Sequence, residues 1–128
     1  MTALPHLALS DIGQIAIPIS DLDRAVAFYR DTLGMKFLFA ASPGLAFFDC
    51  GGIRLMLDKP IKDAGSAGSS IIYYRVPDIE GAYRELQARG VNFDDAPHLI
   101  HKFPDHELWM CFFRDSEGNL LSLMSEVR

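Results

Sequence analysis

The stretch IGQIAIPISDLDRAVAFYRDTLG occupies residues 12–34 and decides the fold. It opens with Ile12–Ile19, a run rich in β-branched residues that is typical of a strand, and continues with apolar residues at helical spacing. Ser20 and Asp23 have the spacing of a capping box, and Gly34 is suited to end the helix. The stretch therefore predicts a strand that is followed directly by a helix.

The same arrangement recurs in the stretch IIYYRVPDIEGAYRELQARG, which occupies residues 71–90. Asp78 lies 57 residues after Asp21, and Gly90 lies 56 residues after Gly34. A strand-like run again precedes apolar residues at helical spacing. The second half of the chain is therefore predicted to repeat the first.

The repeat continues through the last hairpin of each half. Asp49–Gly52 leads into the strand-like run 53–57, and 66 residues later Asp115–Gly118 leads into the run 120–124. Between the helix and this hairpin each half has room for one more strand, which in the second half we place near 91–95. Each half therefore reads as strand, helix and three further strands.

This repeat predicts an α+β fold with two tandem βαβββ modules, residues 12–58 and 71–126, within one domain of 128 residues. Residues 59–70 contain several Gly and Ser and are predicted to form a linker. A half of about 60 residues buries too little surface to be stable alone. We therefore expect the halves to pack together, with a curved, cup-shaped mixed sheet and the helices on its outer face.

The composition excludes several classes of partner. Apolar residues make up 49% of the chain and charged residues 23%, which is enough for a core. The net charge of −5 argues against binding to a phosphate backbone. No uncharged run approaches the roughly 18 residues of a membrane span, and no cationic start precedes the apolar residues 4–9. We therefore predict a cytoplasmic protein with neither nucleic-acid nor membrane partners.

The first helix and the last hairpin resemble those of the vicinal oxygen chelate superfamily, which includes glyoxalase I, bleomycin resistance proteins and extradiol dioxygenases. The likeness is carried by residues 15–29, by Leu33-Gly34-Met35 and by residues 113–119, and it covers residues 12–126. It implies the two-module fold and a homodimer. Enzymes of this family hold a divalent metal in the cup, with ligands from the first and last strands of each module, and the metal acts as Lewis acid and template.

The resemblance assigns the four metal-ligand positions to Gln14, Met56, Ile71 and Ser122. The repeat gives the same pairs, because an offset of 57 relates Gln14 to Ile71 and an offset of 66 relates Met56 to Ser122. A divalent ion needs several carboxylate or imidazole ligands, whereas these residues offer an amide, a thioether, a hydroxyl and an alkyl group. We therefore predict that these positions hold no metal and that the protein has no cofactor.

Strand alternation predicts a largely apolar cup with a few polar groups, which is the usual composition of a small-molecule pocket. Because Arg54 and Arg75 would be buried there, we expect at least one of them to meet a carboxylate such as Asp58 or an anionic ligand. We predict that the cup binds a small apolar or aromatic molecule. The predicted ligand-binding residues are Gln14, Arg54, Met56, Ile71, Tyr73, Met110, Phe112 and Ser122.

Three of the four histidines, His98, His101 and His106, lie within nine residues, in a segment predicted to be the loop between the sixth and seventh strands. Imidazole titrates near neutral pH, which suits proton abstraction. The alternative function is therefore a lyase, an isomerase or a dioxygenase-type enzyme. In it His101 or His106 acts as general base, or the three histidines help to hold a relocated divalent ion. The other interpretation is a solvated loop whose histidines form local hydrogen bonds.

Overall fold

The computed structural model describes residues 7, 9–41, 43–59 and 70–128. These ranges contain eight strands and two α-helices, and the first helix continues as a π-helical turn at Phe28–Thr32. In chain order the elements are β1 (Gln14–Pro18), α1 (Leu22–Ala27), β2 (Lys36–Ala41), β3 (Leu45–Cys50), β4 (Ile53–Asp58), β5 (Ile72–Arg75), α2 (Ile79–Ala88), β6 (His98–Lys102), β7 (Glu107–Arg114) and β8 (Leu120–Val127).

The strands form two four-stranded mixed sheets, with the orders β1-β4-β3-β2 and β5-β8-β7-β6. Ala16 pairs with Met56 in the first sheet and Tyr73 pairs with Ser122 in the second, which are the residues that the offsets of 57 and 66 relate. The α+β class and the two tandem βαβββ modules are therefore confirmed. The predicted linker falls largely on residues 60–69, which lie outside the described residues, and the module boundaries stay a prediction.

Aspartates at equivalent positions begin both helices. The carboxylates of Asp21 and Asp78 each accept a hydrogen bond from the backbone N–H three residues later, at 3.1 and 3.0 Å. The predicted capping box is therefore wrong by one residue. The Ser20 hydroxyl instead donates to the Glu117 carboxylate of the other module, at 2.8 Å, because that buried carboxylate lies against the start of α1.

Glycines at equivalent positions follow both helices, as the repeat predicts. Gly34 has φ 74° and Gly90 has φ 90°, so both have the left-handed backbone conformation. Residues with a Cβ adopt this conformation at an energetic cost, which is why glycine commonly ends helices. The two glycines therefore fix where each helix turns back toward its sheet.

A single cluster of buried residues connects the two modules. Every second residue of β1 and β4 enters this core, and the side chains of Ile17, Leu55 and Leu57 are almost fully buried. The same cluster contains Phe113 and Leu123 from the second module, together with residues of both helices. The two modules therefore share their hydrophobic core, in agreement with the argument that one half is too small to be stable alone.

The predicted sixth strand near residues 91–95 is wrong, because β6 comprises His98–Lys102 within the segment that was predicted to be a loop. All five residues of β6 are exposed, so this edge strand has no buried stripe that a sequence pattern could reveal. Val91 and Phe93 pack in the core without forming a ladder. The Asp95 carboxylate accepts the Phe112 N–H at 2.7 Å and so takes the place of a strand partner.

The hairpin between β7 and β8 closes over the start of α1. The Glu117 side chain, only 1% exposed, accepts hydrogen bonds from the backbone N–H groups of Ser20 and Asp21 at 2.9 and 2.7 Å and from Arg24 Nε at 2.7 Å. Burial disfavours the charged form of Glu117, but these hydrogen bonds outweigh burial and hold its pKa well below the ordinary value. A charge-assisted contact thus joins the two modules.

A second carboxylate in the same hairpin is buried in the core. Asp115 accepts hydrogen bonds from the Tyr29 hydroxyl at 2.7 Å and from the Asn119 side-chain amide at 2.9 Å. The Asn119 amide also donates to the Pro18 carbonyl at 2.9 Å, which ties the hairpin to β1. Burial, together with the neighbouring Asp115 charge, raises the pKa of Tyr29, so Tyr29 remains a hydrogen-bond donor.

Neither helix in the described ranges is long and apolar enough to cross a membrane. The helix α1 has 6 residues and α2 has 10, whereas a helical span needs about 20. The cytoplasmic location is a separate question and stays a prediction from the sequence.

Candidate functional site

Each sheet has one face against the shared core and one face that we call the open face. The side chains of directly paired residues lie on the same face, so the strand registers define the open face of each sheet. Seven of the eight predicted ligand-binding residues lie on the open faces: Gln14, Arg54 and Met56 on the first sheet and Tyr73, Met110, Phe112 and Ser122 on the second. The eighth, Ile71, lies just before β5 and is half-buried.

The open face of the first sheet carries a cluster of aromatic and sulfur-containing side chains. Phe39 stacks on Phe47 with ring centroids 4.6 Å apart, and the Arg54 guanidinium lies 5.8 Å from the centroid of the Phe47 ring. Next to them the Gln14 side-chain nitrogen lies 3.8 Å from the Met56 sulfur. The face therefore combines flat apolar contacts with one cation and one amide.

The open face of the second sheet is centred on an aromatic pair. Tyr73 and Phe112 flank Ser122 on the neighbouring strands, and their rings meet edge to face with centroids 5.9 Å apart. Ser122 is fully buried, and its hydroxyl lies 3.0 Å from the carbonyl oxygens of Cys111 and Leu123. Ser122 therefore supports the floor of this face, whereas Tyr73, at 42% exposed, presents its ring to solvent.

The four residues at the inherited metal positions do not fit a divalent ion. The Ser122 hydroxyl is engaged by backbone carbonyls, and Ile71 has no donor atom. The remaining pair is an amide next to a thioether, Gln14 and Met56, and neither carries the charge that a hard or borderline cation requires. The prediction that these positions hold no metal rests on this donor chemistry.

The expectation that Arg54 and Arg75 are buried is wrong, because both residues are exposed on the open faces. Their guanidinium groups are hydrated and need no buried carboxylate. In the described part of the chain neither forms an ion pair within 4.0 Å, whereas exposed Arg84 contacts Glu80 at 3.9 Å. The two arginines therefore give the open faces a positive charge, although the chain as a whole is acidic.

A bulge in β6 brings two of the histidines to the open face of the second sheet. His98 pairs with Met110, and after a register shift His101 pairs with Leu108, so both histidines share the face of their partners. The His98 Nδ1 lies 3.0 Å from the Ala96 carbonyl oxygen, which can only accept a hydrogen bond. Nδ1 therefore carries the proton, and Nε2 of the neutral ring has a free lone pair.

The other histidine contacts lie at the end of the β6–β7 hairpin. Phe103 stacks on His106 with centroids 4.6 Å apart and meets the edge of His101 at 4.4 Å. The His106 Nδ1 lies 2.8 Å from the Asp105 carboxylate, and hydrogen bonds from His106 and Arg128 lower the pKa of Asp105. Among the described residues no three His, Cys, Asp or Glu side chains form a group that could hold a metal ion.

Phe39 and Phe47 are open-face residues that the sequence analysis missed. The registers show that Phe47, which pairs with Met56, is equivalent to Phe112, which pairs with Ser122. This is an offset of 65, one less than the 66 of the hairpin aspartates and of the last strands, because the second hairpin is longer. An alignment that allowed for this change would have found Phe47, and its antiparallel pairing would have found Phe39.

The fold and these open faces define a class of protein with two βαβββ modules and a potential small-molecule surface on its sheets. The model of the Glyoxalase/Bleomycin resistance protein/Dioxygenase superfamily matches residues 11–123. The chain belongs to this superfamily, so the resemblance given by the first helix and the last hairpin is confirmed. Because one fold supports many reactions, membership alone does not assign an activity.

Three relatives show how far the similarity extends. The uncharacterized protein YraH of Bacillus subtilis is 24% identical over 126 residues, which cover 86% of this chain and 94% of YraH. The lactoylglutathione lyase structure from Agrobacterium tumefaciens is 26% identical with a TM-score of 0.71, covering 91% of this chain and 94% of that one. A superfamily member from Sphaerobacter thermophilus is 26% identical with a TM-score of 0.76, covering 94% of this chain and 100% of that one.

Proposed function

We propose that this protein is a binding module that holds a small aromatic molecule on the open faces of its sheets, without a metal at the inherited ligand positions. The observation that carries the proposal is the exposed aromatic surface at the centre of these faces. Tyr73 is 42% exposed and Phe39 is 48% exposed, although each lies in the middle of a strand. Exposed clusters of this kind commonly mark binding surfaces.

The polar groups on the same faces favour an aromatic molecule that carries an acidic group. Arg54 and Arg75 supply positive charge, and methionines at positions 56, 110 and 124 can adapt to a flat ring system. The free lone pair on His98 Nε2 adds a hydrogen-bond acceptor at the rim of the second sheet. Orientation by a few polar groups over an apolar floor is the usual mode of small-molecule recognition.

The enzymatic alternative has less support from the geometry. The His101 and His106 rings pack against Phe103, and His106 is further held by Asp105. These contacts explain both residues as parts of a packed hairpin end. His98 instead lies on the open face, where it serves the binding proposal directly.

Replacing Tyr73 by alanine tests this proposal. We expect the affinity for 1-anilinonaphthalene-8-sulfonate, an aromatic sulfonate, to fall about tenfold in Tyr73→Ala, because the ring supplies a flat contact at the centre of the face. Fluorescence titration measures this affinity. Arg75→Gln should also weaken binding, whereas the matched variant Arg84→Gln, on α2, should not. Wild-type affinity in Tyr73→Ala would remove the second sheet from the proposed site.

We also propose that the protein is a homodimer, since two open faces with exposed aromatic side chains offer a surface for a second copy. Light scattering after size-exclusion chromatography should give twice the chain mass of 14.3 kDa. A mass of one chain at micromolar concentration would contradict the dimer and would leave the binding proposal intact, because that proposal uses the faces of a single chain.

A further inference from the structure

A cavity on the core side of the second sheet is separate from the open faces. It has a volume of about 370 Å³ and lies where the two modules meet, between the segment after α1, the helix α2 and the sheet. Leu33 and Met35 of the first module line it, together with Ala82, Leu86 and Phe113 of the second. Its size is within the range of small-molecule pockets, and its walls are mainly apolar.

Tyr74 gives this cavity an unused polar group. Tyr74 lines the cavity, and its hydroxyl oxygen is buried with no hydrogen-bond partner in the described part of the chain. A buried hydroxyl without a partner costs free energy, so its presence calls for an explanation. Burial also raises the pKa of Tyr74, so the group is a neutral O–H that can donate one hydrogen bond.

The charged residues around the cavity are already paired. Arg89 donates to the Thr32 carbonyl at 3.0 Å and contacts the Glu85 carboxylate at 3.4 Å. Arg75 also borders the cavity, but its position on β5 places its side chain on the open face, opposite to Tyr74. These contacts leave no uncompensated charge for an ionic ligand, and they favour an uncharged one.

We propose that this inter-module cavity is a second binding site, which takes a small uncharged molecule with an apolar body and one hydrogen-bond-accepting oxygen, such as an aromatic ketone. The apolar walls bury the body of the molecule, and the Tyr74 hydroxyl donates to its oxygen. Such a ligand contacts both modules at once. Its binding therefore stabilises the folded chain as well as occupying the cavity.

The uncharged naphthyl ketone prodan tests this site, because its emission moves to longer wavelength when its carbonyl accepts a hydrogen bond. We expect saturable binding to the wild type, and about fivefold weaker binding with emission at shorter wavelength in Tyr74→Phe. Ala82→Leu, which fills the cavity, should also weaken binding. Tyr73→Ala is the matched control, since residue 73 lies on the opposite face of the same strand, and it should bind prodan as the wild type does.

Three outcomes would overturn the proposal. They are the absence of saturable prodan binding to the wild type, equal affinity and emission in wild type and Tyr74→Phe, and weaker binding in Tyr73→Ala, which would move prodan to the open face. Thermal unfolding without prodan checks that the variants fold. Tyr74→Phe should be at least as stable as the wild type, because it removes an unpaired buried hydroxyl.

Discussion

Replacing Glu117 by alanine is expected to lower the free energy of unfolding by about 3 kcal/mol. The side chain is almost fully buried and accepts hydrogen bonds from Ser20, Asp21 and Arg24 in the other module. Alanine would leave two backbone N–H groups at the start of α1 without their acceptor. Urea denaturation followed by circular dichroism measures the loss.

Glu126→Ala is a matched control for this prediction. Glu126 lies at the exposed end of β8 and its carboxylate contacts Arg128 at 3.6 Å. Removing an exposed carboxylate should change the free energy of unfolding by no more than about 0.5 kcal/mol. Equal losses in Glu117→Ala and Glu126→Ala would show that the hairpin does not hold α1 in place.

The pH dependence of stability has a sign that follows from the lowered pKa of Glu117. Because the folded-state pKa lies below the ordinary value of 4.5, the contribution of Glu117 is fully present above pH 4.5. It is lost as the pH falls from 4.5 through the folded-state pKa. Glu117→Gln should therefore lose less stability than the wild type over this acid range.

Replacing Asp115 by alanine is expected to lower the free energy of unfolding by about 3 to 4 kcal/mol. Asp115 is buried and accepts the hydroxyl of Tyr29, which itself has no exposed surface. It also accepts the backbone N–H groups of Glu117 and Asn119, both at 2.8 Å, and so shapes the hairpin. Alanine would remove all of these acceptors at once.

A double-mutant cycle separates the Tyr29 contact from the rest of this effect. Tyr29→Phe alone should cost about 1 kcal/mol, because it removes one hydrogen bond to a charged group. In the Asp115→Ala background the same substitution should cost little, since the hydroxyl has already lost its acceptor. Strict additivity of the two losses would contradict the contact between Tyr29 and Asp115.

The sequence predicts the parts of this fold in which burial leaves a periodic signal. In β1 and β4 alternate residues enter the core, and both helices begin at an aspartate and end before a glycine. Tandem repetition of these features is enough to predict two βαβββ modules. It also identifies the strand residues of the open faces, because the side-chain period of a strand is two.

The sequence does not predict features that depend on exposure or on a change of one residue in register. The strand β6 is exposed at every position and carries a bulge, so its position and the face of His98 have no periodic signal. The hairpin lengths of the modules differ, which hides the equivalence of Phe47 and Phe112. The environment of Arg54 depends on how the sheets face solvent, which alternation alone does not determine.

The most direct test of the binding proposal is a backbone amide NMR titration of the wild-type protein with 1-anilinonaphthalene-8-sulfonate. We expect the largest chemical-shift changes at open-face strand residues, above all Tyr73, Met110 and Phe112, and small changes along α2 (Ile79–Ala88). Saturable changes that centre on the hairpin end at 103–106, with none on the open faces, would contradict the proposed function.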